Sequence, residues 1–210
     1  EGSALDKEAL ARGCSVYPVD RVIPMLPPAL SNGICSLNPR VDRLTLSVFM
    51  EINENGDVVE HRFVPSVIKT CERMTYTDVT KLLTDPDNNL LGRYGYLLED
   101  FKLMAKLRGI LRQRRKQRGS IDFDIDEAQI KLDVAGKPVD VSMRTRTVAD
   151  DIIEEFMLVC NETVAEHMFW LQIPFIYRVH EEPDPEKILA FEDFIHNLGY
   201  HIKGSTDRIH

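Results

Sequence analysis

RLTLSVFMEINENGDVVEHRFVPSVI, from Arg43 to Ile68, holds two β-prone runs separated by five residues suited to a turn. Arg43 to Ile52 is rich in Leu, Thr, Val and Phe, side chains that favour a pleated, half-buried surface. NENGD, Asn53 to Asp57, supplies the Asn and Gly that tolerate the backbone of a tight connection, and Val58 to Ile68 returns as the partner strand. A hairpin closed this locally needs no crossover helix. Further hairpin and helix patterns follow without strict βαβ alternation, which predicts an α+β domain: a mixed, largely antiparallel sheet with packed helices.

Around this hairpin the helices announce themselves by their caps. Leu5 to Arg12 reads as a short helix, with Ser3 and Asp6 spaced as a capping box and Gly13 as its stop. Thr75 caps a helix over Tyr76 to Leu83, and DPDNN (Asp85 to Asn89) breaks the chain. A longer helix is expected from about Tyr94 to Gln117, with Leu97, Leu98, Phe101, Met104, Leu107 and Leu111 on one broad face. Ile121 to Asp133 reads as extended chain interrupted near Asp126, AGKP as a turn, and Val139 to Arg144 as another strand. The longest helix, Val148 to Trp170, is apolar enough to cross the core. Phe175 to Val179 is expected as a short strand, and Asp184 and Pro185 open a last helix that Gly199 ends.

The irregular stretch from Gly13 to Arg43, GCSVYPVDRVIPMLPPALSNGICSLNPRVDR, precedes the hairpin. Pro24, Pro27, Pro28, Gly33 and Pro39 fix where its backbone turns. Its many apolar residues set it apart from a solvated linker, so an ordered, binding-type loop is expected.

Bulk properties exclude several classes. The 210 residues suffice for one large domain or two small ones, and 43% hydrophobic with 29% charged residues is an ordinary globular balance. No apolar run approaches a bilayer span of roughly 20 residues, so no membrane partner is expected. The opening residues, EGSALDKEALARG, carry no secretory pattern. Cys14, Cys35, Cys71 and Cys160 form no C-x-x-C pair, which predicts reduced, partly buried thiols and a cytoplasmic protein. A net charge of −8 argues against binding nucleic acid by overall charge. Local basic patches remain, chiefly Arg112, Arg114, Arg115, Lys116 and Arg118, which either line a route for phosphates or merely finish a helix.

The residues alone yield no complete catalytic site. Ser15 and Ser36 lack the strained G-x-S-x-G turn, and no histidine stands beside a candidate nucleophile. In DFDIDE, Asp122, Asp124 and Asp126 offer oxygens to a hard cation, but strand alternation puts them most simply on a wet face. Glu154 and Glu155 sit in an apolar helix, where a carboxylate needs a partner. The plain reading is that one faces water while the other caps or pairs with an arginine. Tyr17, Tyr76 and Phe123 are aromatics at the ends of irregular segments, suited to stacking on a base or to core packing.

Five blocks then carry a resemblance. RGCSVYPVDRVIPMLPPALSNGICSLNPRVDRLTLS, ERMTY, RGSIDF, IIEEFMLVCNETVAEH and PFIYRVHEEPDPEK occur in the order seen in the ribonuclease R branch of the ribonuclease II family of hydrolytic 3′→5′ exoribonucleases. The resemblance covers essentially the whole chain. It implies that residues 1–210 are the central part of one RNB-type catalytic domain, from an enzyme that degrades single-stranded and structured RNA to nucleoside monophosphates with Mg2+. It implies a clamp of Tyr17 and Phe123 on the 3′-terminal bases, and ribose-side contacts from Tyr76 and from Glu154 or Glu155.

The departures from the family pattern shape the expectation as much. The family's four-aspartate metal cluster and its Ser-Pro-Ile-Arg-Arg arginine do not occur among these residues. No catalytic or metal-binding residue is therefore assigned in this chain, and no bound Mg2+ is expected. The expected role is RNA binding within an interior piece of the enzyme, with self-association through exposed sheet edges. The alternative is a catalytically silent RNA-binding or interaction module on the same scaffold. A four-aspartate motif in the reading frame just ahead of Glu1 would separate the two.

Overall fold

The computed structural model describes residues 1–121 and 127–201. These fall into two compact units, Glu1–Asn161 and Glu162–His210, with one helix running from the first into the second. In the first unit, helix α1 (Ala4–Arg12) has the expected Ser3 cap, Ser3 Oγ accepting from the Asp6 N–H at 3.1 Å, while the Asp6 carboxylate accepts from the Gly2 N–H at 2.7 Å; Gly13 ends it at φ 71°. Strands β1 (Asp42–Ile52) and β2 (Val58–Lys69) pair antiparallel, with Leu46 opposite Pro65 and Val48 opposite Phe63. Strands β3 (Glu127–Leu132) and β4 (Pro138–Arg144) form a second antiparallel pair. The α+β class holds, but among the described residues the strands form two separate hairpins, not one mixed sheet.

Helix α2 (Tyr76–Thr84) begins at its Thr75 cap. DPDNN does more than break the chain. Asp87 Oδ1 accepts from the Leu90 N–H at 2.7 Å and starts a further helix, α3 (Asn88–Tyr94). A 3-10 turn over Gly95–Leu97 then leads into α4 (Leu98–Gln117), so the expected helix starts four residues later than Tyr94 and α3 is an additional helix before it. Helix α5 (Val148–Trp170) runs where expected, and Val79, Leu82, Tyr94, Leu111, Ala149, Ile152 and Val159 form the buried apolar set of the first unit. In the second unit, α6 (Pro185–Asn197) has Asp184 as cap and Pro185 in its first turn. Phe175 to Val179 is not a strand, because no second strand lies alongside to complete a ladder among the described residues. No helix there is long and apolar enough to cross a membrane.

Long polar side chains tie the first unit together at α4. Arg114 Nη1 donates to the Gly56 carbonyl at 2.8 Å, and its Nη2 reaches Asp57 at 3.0 Å, seating the β1–β2 turn on the helix. Gly56 itself is required: φ is 82°, and a Cβ there would meet Ile110 Cγ2 at 3.2 Å. Arg112 and Arg108 both reach Asp151 Oδ2, at 2.7 and 3.3 Å. Arg115 holds Glu155 Oε1 at 2.7 Å through Nη2 and at 3.1 Å through Nε. The basic run is therefore neither a solvated helix end nor an open phosphate track at these positions; three of its arginines bind the hairpin and α5.

The start of α5 carries its own polar cluster. Thr147 and Asp150 form a reciprocal capping box, with the Thr147 N–H donating to Asp150 Oδ2 at 3.0 Å, and Arg144 pairs with Asp150 Oδ1 at 2.7 Å. Partial burial pushes the Asp150 carboxyl up, but the Thr147 hydroxyl and N–H, helped by Arg144, outweigh it and hold the group below its ordinary 3.8.

Two stability predictions follow from this frame. Glu155 is only 4% exposed, so Arg115→Met leaves a buried carboxylate without its main cation and should cost about 3 kcal/mol in urea denaturation. The double variant Arg115→Met, Glu155→Leu should recover most of that loss, because no buried charge remains. For Asp150 the folded pKa is depressed, so its stabilisation is complete above the unfolded value of 3.8 and is lost as pH falls through the folded value. Asp150→Asn should lower stability at neutral pH and flatten the acid limb of a stability–pH curve relative to the parent chain.

Candidate nucleic-acid interface

Tyr17 lies on a small loop whose base is closed by two backbone bonds, Val16 N–H to Ile23 O at 2.9 Å and Ile23 N–H to Val16 O at 2.8 Å. Ser15 Oγ accepts from the Met25 N–H at 3.0 Å, and Arg12 Nη1 donates to the Pro24 carbonyl at 3.2 Å. Tyr17 is 75% exposed. A large aromatic side chain is thus held outward on pinned backbone, at little further ordering cost to a ligand that stacks on it.

The rest of the proline-punctuated stretch is ordered too, and contains a turn of π-helix over Ala29–Ile34, closed by the Cys35 N–H to Leu30 O bond at 2.9 Å. Its open carbonyls are met by side chains from outside the turn. Arg43 donates to Ser36 O at 2.8 Å and to Gly33 O at 3.2 Å, and Asn38 Nδ2 to Asn32 O at 3.1 Å. The stretch is an ordered loop, as its composition predicts, but many of its apolar side chains stay at the surface, among them Val19, Val22, Ile34 and Leu37.

Tyr76 is the first residue of α2, directly after the Thr75 cap, and is 46% exposed. Phe123, with Asp122, Asp124 and Asp126, lies outside the described residues. Glu154 and Glu155 are separated by the geometry of α5. Glu155 turns inward onto Arg115, whereas the Glu154 side chain is 34% exposed and its Oε2 accepts from Arg146 Nη2. Among the described residues no hydrogen bond or ring contact joins Tyr17, Tyr76 and Glu154 to one another.

No group of three or more His, Cys, Asp or Glu side chains among the described residues is placed to hold a metal ion. What they offer is stacking surface and hydrogen-bond acceptors. The four thiols are free as expected, but Cys14, Cys35 and Cys71 are exposed, not partly buried, because they lie on surface segments outside the helical core. Sequence reasoning overlooked Arg146 and Asp151. Their signal was the alternation of Arg144 and Arg146 leading into an acidic helix start, where Asp150, Asp151, Glu154 and Glu155 crowd two turns.

Comparison with known proteins places this geometry in a family. The model of the RNB domain matches residues 1–208. Ribonuclease R 1 of Lactococcus lactis subsp. lactis is 48% identical over 209 residues, covering 100% of this chain and 26% of that protein. Ribonuclease R of Thermotoga maritima is 48% identical over 206 residues, or 98% of this chain and 29% of that protein. The solved structure of Mycoplasma genitalium RNase R in complex with ribose methylated single-stranded RNA matches with a TM-score of 0.87 at 28% identity, covering 100% of this chain and 32% of that one. The chain spans between a quarter and a third of the length of these relatives. On a match that runs almost from end to end, the chain belongs to the RNB domain family.

Proposed function

We propose that the chain is the RNA-holding part of a ribonuclease R-type enzyme, a cytoplasmic hydrolytic exoribonuclease that shortens single-stranded and structured RNA from the 3′ end to nucleoside monophosphates. The observation that carries this reading is the exposed Tyr17 ring on its pinned loop, in a chain whose relatives are named ribonuclease R along its whole length. Tyr17 and Phe123 are the two jaws of a base clamp. Stacking tolerates any base, which suits an enzyme that must process RNA without reading its sequence. Tyr76 and Glu154 face the ribose side, and a carboxylate oxygen accepting from the 2′-hydroxyl favours RNA over DNA.

Glu155 does not share that role in this reading, because its carboxylate is buried on Arg115. Mg2+ serves hydrolysis in the intact enzyme, where it would activate water and offset charge on the phosphate. These 210 residues contribute binding and orientation. Among the described residues each two-stranded hairpin has no further strand on its outer edges, and we include self-association through them at high concentration in the proposal.

Two measurements test it. The purified chain should bind a single-stranded RNA oligonucleotide with an affinity that falls as salt rises. Tyr17→Ala combined with Phe123→Ala should weaken that binding by roughly 1–3 kcal/mol per ring, and unchanged affinity would contradict the clamp. With Mg2+ present, the same chain should release no mononucleotides from single-stranded RNA; Mg2+-dependent release would show that it carries a metal site the proposal denies it.

A further inference from the structure

The carboxylate assigned to the ribose is not free to point where it likes. Glu154 lies on the first half of α5, and its Oε2 accepts from Arg146 Nη2. Arg146 stands two residues beyond the end of β4, and its Nε donates to Asp151 Oδ1 at 2.7 Å. Asp151, 14% exposed, is gripped on its other oxygen by Arg112 at 2.7 Å and Arg108 at 3.3 Å, both from α4. A continuous chain of charge-assisted hydrogen bonds therefore runs from α4 through Asp151 and Arg146 to Glu154. The opposite oxygen, Glu154 Oε1, has Arg115 Nη2 at 3.9 Å, beyond hydrogen-bond reach. One oxygen of Glu154 is held and the other keeps acceptor capacity, since a carboxylate has about four lone-pair sites.

We propose that Arg146 is a positioning residue for RNA-over-DNA selectivity: its guanidinium bridges Asp151 and Glu154, and so fixes the rotamer that presents Glu154 Oε1 to a ribose 2′-hydroxyl. The proposal rests on the reading of Glu154 given above. Arginine suits this task because its planar fork addresses two carboxylates at once, with its direction set by both. Lysine would keep the charge but donate from a single rotating ammonium, and would orient Glu154 only in part. A residue acting merely as positive charge would attract the phosphates of RNA and DNA alike, so selectivity separates positioning from attraction.

The test uses the 210-residue chain with a short oligouridylate and the same oligomer of 2′-deoxyuridine, which differ only in the 2′-hydroxyl. The ratio of the two dissociation constants is measured for the parent chain, Glu154→Ala, Arg146→Ala and Arg146→Lys. The parent should favour the ribo-oligomer, and Glu154→Ala should reduce that preference by roughly tenfold, the scale of one hydrogen bond to a charged group. Arg146→Ala should reduce it by at least about threefold, and Arg146→Lys should restore part of the loss. If Glu154→Ala removes the preference while Arg146→Ala leaves it intact, or weakens both oligomers equally, the positioning role is overturned and the reading of Glu154 stands. If the parent shows no preference, or Glu154→Ala does not change it, the reading of Glu154 fails and the role of Arg146 with it. Should Arg146→Ala fold poorly by circular dichroism, Arg146→Lys decides, because a ratio equal to the parent's overturns the fork geometry.

Discussion

The guanidinium groups of α4 are the constraint on which the first unit depends. Arg114 seats the turn of the β1–β2 hairpin, Arg108 and Arg112 grip Asp151, and Arg115 takes Glu155. Helical spacing explains why one helix reaches so many partners: residues 108, 112 and 115 recur at intervals of four and three, which place them on one face. Residues 151 and 155 are likewise four apart on α5. Two helices thus meet through complementary charge, and Leu111, Ile152 and Val159 on them are buried. Buried pairs of this kind add little net stability over an apolar contact, but they leave few alternative arrangements that satisfy every charge.

That lattice turns two adjacent glutamates into different residues. Consecutive positions on a helix point about 100° apart, so only one can face α4. Arg115 makes that one Glu155, at 2.7 Å, whereas Glu154 stays 3.9 Å from Arg115 and accepts from Arg146. A similar division runs through the surface of an acidic chain. Its most basic run is largely spent on internal pairs. Under the proposed function, stacking and hydrogen bonding are then the means of engaging RNA; such contacts tolerate any base and distinguish the sugar.

Local chemistry was legible in the sequence and non-local chemistry was not. The Ser3, Thr75 and Asp184 caps and the NENGD turn each act within a few residues, and each stands where its residue types place it. The π-turn at Ala29–Ile34 was not readable, because its Asn32 and Gly33 carbonyls are met by Asn38 and Arg43 from beyond the turn. DPDNN reads as a break, yet Asp87 uses the same polar character to start a helix. The apolar run from Phe175 to Val179 looks like a strand, but strand formation depends on a partner that its own residues do not supply. Tyr17 was legible as a surface aromatic on a fixed loop, whereas the choice between Glu154 and Glu155 depended on arginines eight and forty residues away in sequence.

The central claim is that Glu155 holds the fold while Glu154 serves the ligand. It is tested most directly by comparing Glu154→Ala with Glu155→Ala for urea stability and for RNA affinity in the same buffer. The account predicts that Glu155→Ala loses stability on the order of a few kcal/mol because the largely buried Arg115 guanidinium loses its closest carboxylate. It predicts that Glu154→Ala keeps near-parental stability and loses preference for the ribo-oligomer. The reverse pattern, a stable Glu155→Ala without RNA preference beside an unstable Glu154→Ala that retains it, would contradict the account.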